Sequence, residues 1–504
     1  MSTRAPYSSG CHACRRMKVK CDENKPQCGR CTKARRVCPG YRDAKQIIFR
    51  SMNAELASKA KASRLSQTRT YRTITAPDHT RGIVSPSSTP LLLTQPSETW
   101  DDRAISYFLH NYSFAPTRDN SGYLGFLPDL LDSNSSASYL KSAVLAAGSA
   151  SLANITGFGY LEQTAEKQYG ETLRSISRVL QDPLEASSDA ALTTIVVLQM
   201  YEAIAGLTSV TCDPHNKALI ELSRLRGPAR PGTGNGNALL SMIHFRIHID
   251  AVGGLCPSPI ESEYDVKAVC FPTSQAELCH LMRETSRCCA EVQTRLLVPG
   301  KKLFKSEIIG SLDDLLSAYL CLLNWGASPP SGLSYQSCTI PSRQDHDSQP
   351  EAFPGKYHLF KDIQHGAIWI SFWCTVIYAL QVLVYLSSHP VLREYLIQGQ
   401  YSSWQLRKQL YDTVDEICAC VPYMLADVDQ SGLPTVGRDS KALGSLFLLR
   451  GFYVASCVTG LTTVQREYMM KTLLRVAYGK GIKLALRPRN RWLNQHRDGL
   501  VQYQ

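Results

Sequence analysis

From about residue 100 onward, apolar residues recur at steps of three and four, the spacing that lines one face of an α-helix. WDDRAISYFLHNY (100–112), ASYLKSAVLAAGSASLANI (137–155), LEQTAEKQYGETLRSISRVL (161–180) and DAALTTIVVLQMYEAI (189–204) all carry it. So do AELCHLMRETSRCCAEVQTRLL (276–297), DDLLSAYLCLLNWG (313–326), QLRKQLYDTVDEICACVPYML (405–425) and REYMMKTLLRVAYGKGIKLAL (466–486). Loops rich in Pro and Gly, such as RGPARPGTGNGN (226–237), separate them, and the alternating pattern of strands is scarce. The pattern predicts one large all-helical domain over about 100–490.

One helical stretch is apolar all round. Ala367–Leu386 runs for twenty residues without a charge, long enough to cross a bilayer. Ser371, Thr375 and Gln381 interrupt it and no second span accompanies it, so it reads as the buried helix of a large helical domain, with no membrane partner. Gly232–Asn237 (GTGNGN) follows no strand and fits no phosphate-binding fingerprint, so it reads as a loop.

Before residue 100 the pattern changes. Residues 65–99 are dominated by Ser, Thr and Pro and read as a flexible linker, which would span roughly 30 Å root-mean-square. Ser85-Pro86 and Thr89-Pro90 in it have the form of proline-directed phosphorylation sites. Residues 39–64 form a basic extension, in which Ile48, Met52 and Leu56 share a stripe too short for the heptads of a coiled coil. Lys59, Lys61 and Arg64 in it suit a nuclear import signal.

Charge sharpens this division. Residues 1–64 hold 16 Lys/Arg against 4 Asp/Glu, whereas the remaining chain holds 39 of each. The whole excess of +12 therefore sits in the first eighth of the chain, where it suits a polyanion; the body needs another role.

The chemistry sits in that basic head. Residues 11–38 read CHACRRMKVKCDENKPQCGRCTKARRVC, a C-x2-C-x6-C pattern written twice with six residues between. Each C-x2-C pair places two sulfurs on one tight turn, where they can chelate a tetrahedral zinc. Two zinc ions need about eight ligand places, which Cys11, Cys14, Cys21, Cys28, Cys31 and Cys38 supply if two sulfurs bridge. Disulfides are the competing use of six cysteines, but MSTRAPYSSG has no apolar run of a secretory signal. No ligand place stays open for water or substrate, so the zinc would be structural. Nine Lys/Arg against Asp22 and Glu23 give the stretch +7 from side chains, and about +5 once two zinc ions and six thiolates are counted. His12 lies between two ligands and reads as a surface or phosphate-side residue, since six sulfurs suffice. The other twelve cysteines, Cys212 to Cys457, show no repeated chelating spacing and read mostly as small buried hydrophobes.

This stretch resembles the DNA-binding domain of the fungal zinc binuclear-cluster transcription factors. The resemblance implies Cys11 and Cys28 as bridging sulfurs and two short helices related by a pseudo-twofold axis. It implies that RRMKVKC is the recognition helix, with Lys18 donating to guanine edges of a CGG triplet while Arg15, Arg16 and Lys20 hold phosphates. A Lys or Arg contact to guanine is independently the commonest specific base contact. The order of helices after residue 100 is similar to the helical regulatory domain that follows the cluster in the same family.

The whole chain is thus expected to be mainly α: a two-zinc cluster domain (11–38), a basic extension, a linker, and a helical regulatory domain (100–490). Double-stranded DNA is the expected partner and the nucleus the expected location, with a homodimer, co-regulators or a small-molecule effector as further partners. The resemblance implies control of RNA polymerase II genes of one pathway, such as a secondary-metabolite cluster, and no enzymatic activity. Two other readings stay open here. One is an enzyme with a nucleic-acid tether, which would need a pocket joining a base to a nucleophile; the other is an RNA-binding zinc protein, although residues 11–38 hold no aromatic residue to stack on bases.

Overall fold

The computed structural model describes most of residues 11–38 and, between 99 and 488, all but 116–121, 133–137, 208–213, 227–233, 254–272, 298–304, 340–352, 436–440, 331, 389 and 400. The basic extension and the linker, with Ser85 and Thr89, lie outside the described residues. The chain divides into two units, Met1–Leu93 and Thr94–Gln504.

In the first unit the described helix is α1, Gly29–Lys33. The second unit is built on helices α2 (Trp100–Tyr112), α3 (Leu127–Asp132), α4 (Ser138–Thr156), α5 (Gly159–Val179), α6 (Pro183–Ala186), α7 (Asp189–Ala205), α8 (Pro214–Arg226), α9 (Gly234–Gly253), α10 (Thr273–Leu297) and α11 (Lys305–Ala327). Strands β1 (Gln336–Thr339) and β2 (Lys356–Leu359) come next, followed by α12 (Ile363–Leu386), α13 (Pro390–Gln398), α14 (Ser403–Ala419), α15 (Val421–Met424), α16 (Ala442–Ser456) and α17 (Thr463–Gly479).

Side-chain caps mark where several of these helices begin. Thr99 and Asp102, Ser402 and Gln405, and Thr462 and Gln465 form capping boxes at the starts of α2, α14 and α17, each satisfying two backbone N–H groups that a helix start leaves unpaired. Ser188 caps α7, which ends on Gly206 in the left-handed conformation (φ 72°).

α12 is the core of the second unit. It is buried on every side, packing against α14 and α16 and against α9, α10 and α11, and 89% of its apolar window is covered by protein. Its hydroxyls turn back to the helix: Ser371 Oγ donates to the Ala367 carbonyl (2.6 Å) and Thr375 Oγ1 to that of Ser371 (2.9 Å). Gln381 Nε2 donates to the Cys457 carbonyl at 3.0 Å. The bilayer-length stretch is therefore a buried core helix. Around it, α4 packs against α2, α5 and α7, and α10 against α11.

The structure differs from the sequence reading in three local ways. First, β1 and β2 form an antiparallel hairpin, with Gln336 opposite Leu359 and Thr339 opposite Lys356. It is held by side chains distant in sequence: Glu416 of α14 accepts from Lys356 Nζ (2.6 Å) and pairs with His358 Nε2 (2.7 Å), while Trp369 of α12 donates from Nε1 to the Leu333 carbonyl (2.7 Å). Second, the stretch 405–425 is two helices, broken at Cys420 with Pro422 in the first turn of α15, where a missing N–H costs nothing. Third, Gly234–Asn237 open α9 rather than lying in a loop; a first turn tolerates Gly and Asn because its N–H groups need no intrahelical partner.

Most cysteines described in the body are buried and none is in a disulfide. Burial pushes the Cys279, Cys374 and Cys418 thiols well above their ordinary value, so they behave as small hydrophobes.

Glycine 148 sets how close α2 and α4 come, since a Cβ there would overlap the Ala104 carbonyl oxygen. Gly148→Ala should lower stability by about 1–3 kcal/mol through this overpacking. Gly310→Ala, at an exposed site within α11 with nothing near its Cβ, should raise it by about 0.5–1 kcal/mol. Thermal unfolding of the two variants should move in opposite directions; equal shifts would mean that the α2–α4 approach is not limited by Gly148.

Candidate metal centre and nucleic-acid interface

Seventeen residues separate each cysteine of the first half from its counterpart in the second. The hydrogen bonds repeat with the same offset. Cys14 N donates to Cys11 Sγ (3.4 Å), as Cys31 N does to Cys28 Sγ (3.3 Å). Cys11 N donates to Cys21 Sγ (3.4 Å), and Cys28 N to Cys38 Sγ (3.5 Å). Met17 N bonds the Ala13 carbonyl as Ala34 N bonds that of Arg30, both at 3.1 Å. Val19 N and Arg36 N reach the Cys14 and Cys31 carbonyls at 3.0 and 2.9 Å. Each half is thus one turn of helix whose first residues hold two sulfurs, followed by a return that brings in the third.

The sulfurs fall into two groups of four, Cys11, Cys14, Cys21, Cys28 and Cys11, Cys28, Cys31, Cys38, with all atoms of a group within 4.8 Å of one another. Both groups contain Cys11 and Cys28, whose sulfurs are 3.6 Å apart. Cys11–Cys31 and Cys14–Cys28 are each 3.8 Å. A disulfide needs about 2.05 Å, so these are not bonded pairs. The edge of a sulfur tetrahedron around zinc is about 3.8 Å for Zn–S bonds of about 2.3 Å, which matches.

Five of the six sulfurs are buried, and they are the core of this unit. Burial, reinforced by the Cys11 sulfur, pushes the Cys14 thiol up to about 12, and burial pushes Cys28 up as well. Thiols raised in this way, as at Cys14 and Cys28, are protonated at neutral pH unless a cation shares the site. The donor set therefore fits zinc, which would be held by the cysteines as thiolates and would lock the two halves together.

Of the expected DNA contacts, Lys20 is described and exposed, while Arg15, Arg16 and Lys18, like His12, lie outside the described residues. Arg30, Lys33, Arg35 and Arg36 of the second half are also exposed. Two of these join the halves: Arg30 Nη1 donates to the Lys20 carbonyl (3.2 Å) and Arg36 Nη1 contacts Met17 Sδ (2.7 Å). No local sequence signal marks these contacts, since in the seventeen-residue register Arg30 falls against Ala13 and Arg36 against Val19, not against Lys20 or Met17.

In the body, a cavity lies among α7, α9, α12 and α16. Ser371 and Cys374 line it, but no His, Asp or Glu among the described residues does. The Ser371 hydroxyl already donates to its own helix. A base poised on a nucleophile is not what this cavity brings together.

Comparison with known proteins adds to this geometry. Residues 9–47 match the Fungal Zn(2)-Cys(6) binuclear cluster domain and residues 103–279 the Fungal specific transcription factor domain. The chain is 20% identical over 402 residues to "Transcription factor dbaG" of Emericella nidulans, covering 76% of this chain and 89% of that one. A segment of 39 residues is 51% identical to "Transcriptional regulatory protein moc3" of Schizosaccharomyces pombe, 8% of either chain. Another of 47 residues is 38% identical to "White-opaque regulator 2" of Candida albicans, 9% of this chain and 10% of that one. No solved structure matches.

Loading the metal-free chain with zinc at pH 7 should release protons, because thiols held neutral by burial must ionise to bind. Zinc retention should accordingly fall as pH is lowered, and a chelator should unfold the head at neutral pH. Calorimetric titration in buffers of different ionisation enthalpy measures the proton count; a count of zero would refute the buried-thiol picture.

Proposed function

The chain is homologous to the fungal zinc-cluster transcription factors, with the Zn(2)-Cys(6) domain at its N-terminus and the fungal transcription factor domain downstream, and from that premise we propose a sequence-specific, zinc-dependent regulator of RNA polymerase II genes in the nucleus. The head reads CGG-type triplets in the major groove, and the helical body gates its activity. The observation that carries this reading is the pair of four-sulfur groups sharing Cys11 and Cys28, set in a stretch with nine Lys/Arg. A small unit with so large an excess of positive charge suits binding to a polyanion.

Within this reading the head holds two zinc ions, with Cys11 and Cys28 touching both and Cys14, Cys21, Cys31 and Cys38 touching one each. Lys18 donates to guanine O6 and N7, and Arg15, Arg16 and Lys20 hold phosphates. In the seventeen-residue register Lys18 corresponds to Arg35, which is exposed. The two halves thus carry a cation at equivalent positions of the repeated sequence. Residues 11–38, 39–64, 65–99 and 100–490 serve as reader, basic extension, linker and regulatory domain. The genes controlled belong to one pathway, such as a secondary-metabolite cluster; the printed names of the relatives go no further than transcription regulation.

The zinc-loaded chain should bind a duplex with one CGG at least about tenfold more tightly than the same duplex with that triplet scrambled. Lys18→Ala should remove about 1–3 kcal/mol of that preference. Arg15→Ala should weaken both duplexes alike and flatten the salt dependence by about one unit of slope. Equal binding to both duplexes by the unaltered chain would sink the base-reading role. Zinc content separates the ligand roles: Cys14→Ser should spare one ion, whereas Cys28→Ser should disturb both, and identical losses would mean that Cys28 does not bridge.

A further inference from the structure

We infer that the cavity of the helical body is a binding site for an uncharged aromatic ring. The site stands independently of the reading that the body gates the head; only a part for the ligand in that gating rests on it.

The cavity has a cause in the sequence of α12. Ala367, Ser371 and Cys374 lie on one face of that helix at steps of four and three, and all three are small. The opposite face carries Trp369, Phe372 and Trp373, which pack ring against ring. Across the gap, α7 and α9 also present small side chains, Ala203 and Ser241. α9 packs against α7, α12 and α16, yet where these small residues meet the helices leave about 120 Å³ unfilled. Protein interiors hold few voids larger than a water molecule, so a gap of this size between packed helices is a specific feature. An apolar cavity of about 150 Å³ takes up benzene, so the space here is on the scale of a single six-membered ring.

The walls favour a guest that is aromatic. Tyr123, Phe245 and Phe447 line the cavity, and Tyr123 meets Phe447 edge to face, with centroids 5.4 Å apart and planes at 88°. A further ring extends that arrangement, because a ring edge is partly positive and a ring face partly negative. Met200 and Met242 add two thioethers, which adapt their shape and make favourable contacts with ring edges. An aliphatic guest of equal size would fill the space but gain neither the ring pairs nor the sulfur contacts.

Charge is disfavoured for a separate reason. No Asp or Glu among the described residues lines the cavity, so a cationic guest meets no carboxylate there. Arg246 and Arg450 do line it, but each already holds interactions within the protein. An anion would give up its hydration to meet guanidinium groups that are engaged already, and burying a charge without a partner of its own is costly. An uncharged ring loses little hydration and keeps every contact with the walls. Those walls come from both sides of residue 279, the end of the matched transcription-factor stretch, since α12 and α16 follow it.

The test is a fluorine NMR titration of the zinc-loaded full chain with fluorobenzene, 4-fluorobenzoate, 4-fluorobenzylamine and fluorocyclohexane. The expected result is saturable binding of fluorobenzene, with the anion and the cation each weaker by about tenfold or more and fluorocyclohexane several-fold weaker. Ala367→Leu should fill the cavity and abolish binding of fluorobenzene, while DNA binding by the head persists. In the unaltered chain, no saturable binding of fluorobenzene overturns the proposal, whether or not the variant folds. So does a charged probe that binds as tightly as fluorobenzene, which would make the cavity an ion site, and so does equal affinity for fluorocyclohexane. Binding of fluorobenzene that survives Ala367→Leu in a folded chain overturns it too. If fluorobenzene binds as expected but leaves reporter transcription unchanged, the site stands and its part in gating falls.

Discussion

A helix of 24 residues without a charged side chain cannot be left half-covered in water, and α12 imposes that demand on the whole body. Five long helices answer it: α9, α10 and α11 from one part of the chain, α14 and α16 from another. The hairpin is part of the same answer, since Trp369 and Trp373 on α12 pack against Tyr335 and His358 beside and within its strands. Its polar ends are then closed off by Glu416, which joins Lys356 and His358 to α14. Coverage, rather than helix propensity, explains why such separated segments meet.

The head solves a different problem. Residues 11–38 are too few to bury an apolar core of useful size, and their described core is five buried sulfurs with Ala13, Val19 and Cys21 around it. Sulfurs so placed gain nothing from being hidden; burial raises the thiol pKa values of Cys14 and Cys28 and favours their neutral S–H form in the metal-free state. A structural zinc site contributes on the order of 10 kcal/mol, which replaces the missing hydrophobic term. Cross-half contacts from Arg30 and Arg36 are secondary to that, being exposed and individually weak.

What could be read from sequence follows the range of the interactions. The cysteine pattern is local, so the grouping of sulfurs was legible, down to the equivalence of the halves at seventeen residues. Many of the long helices were legible for the same reason, since their periodicity lies within each segment, whereas α8, α9, α13 and α16 were not singled out. The hairpin was not: β1 and β2 have four residues each, and their stability comes from α12 and α14. Nor was the break at Cys420, because Pro422 is harmless in a first turn and the apolar spacing of 405–425 runs through it. The cavity was beyond reach, since its walls are drawn from residues 122–484. Only its cause was visible, in the small side chains at 367, 371 and 374 among the bulky ones of α12.

The distribution of charge gives the two units separate physical tasks. All the net excess lies in residues 1–64, so long-range attraction to a polyanion belongs to the head and is screened by salt over about 10 Å at 0.1 M. The remaining chain is balanced and exerts no comparable net pull on an anion from a distance.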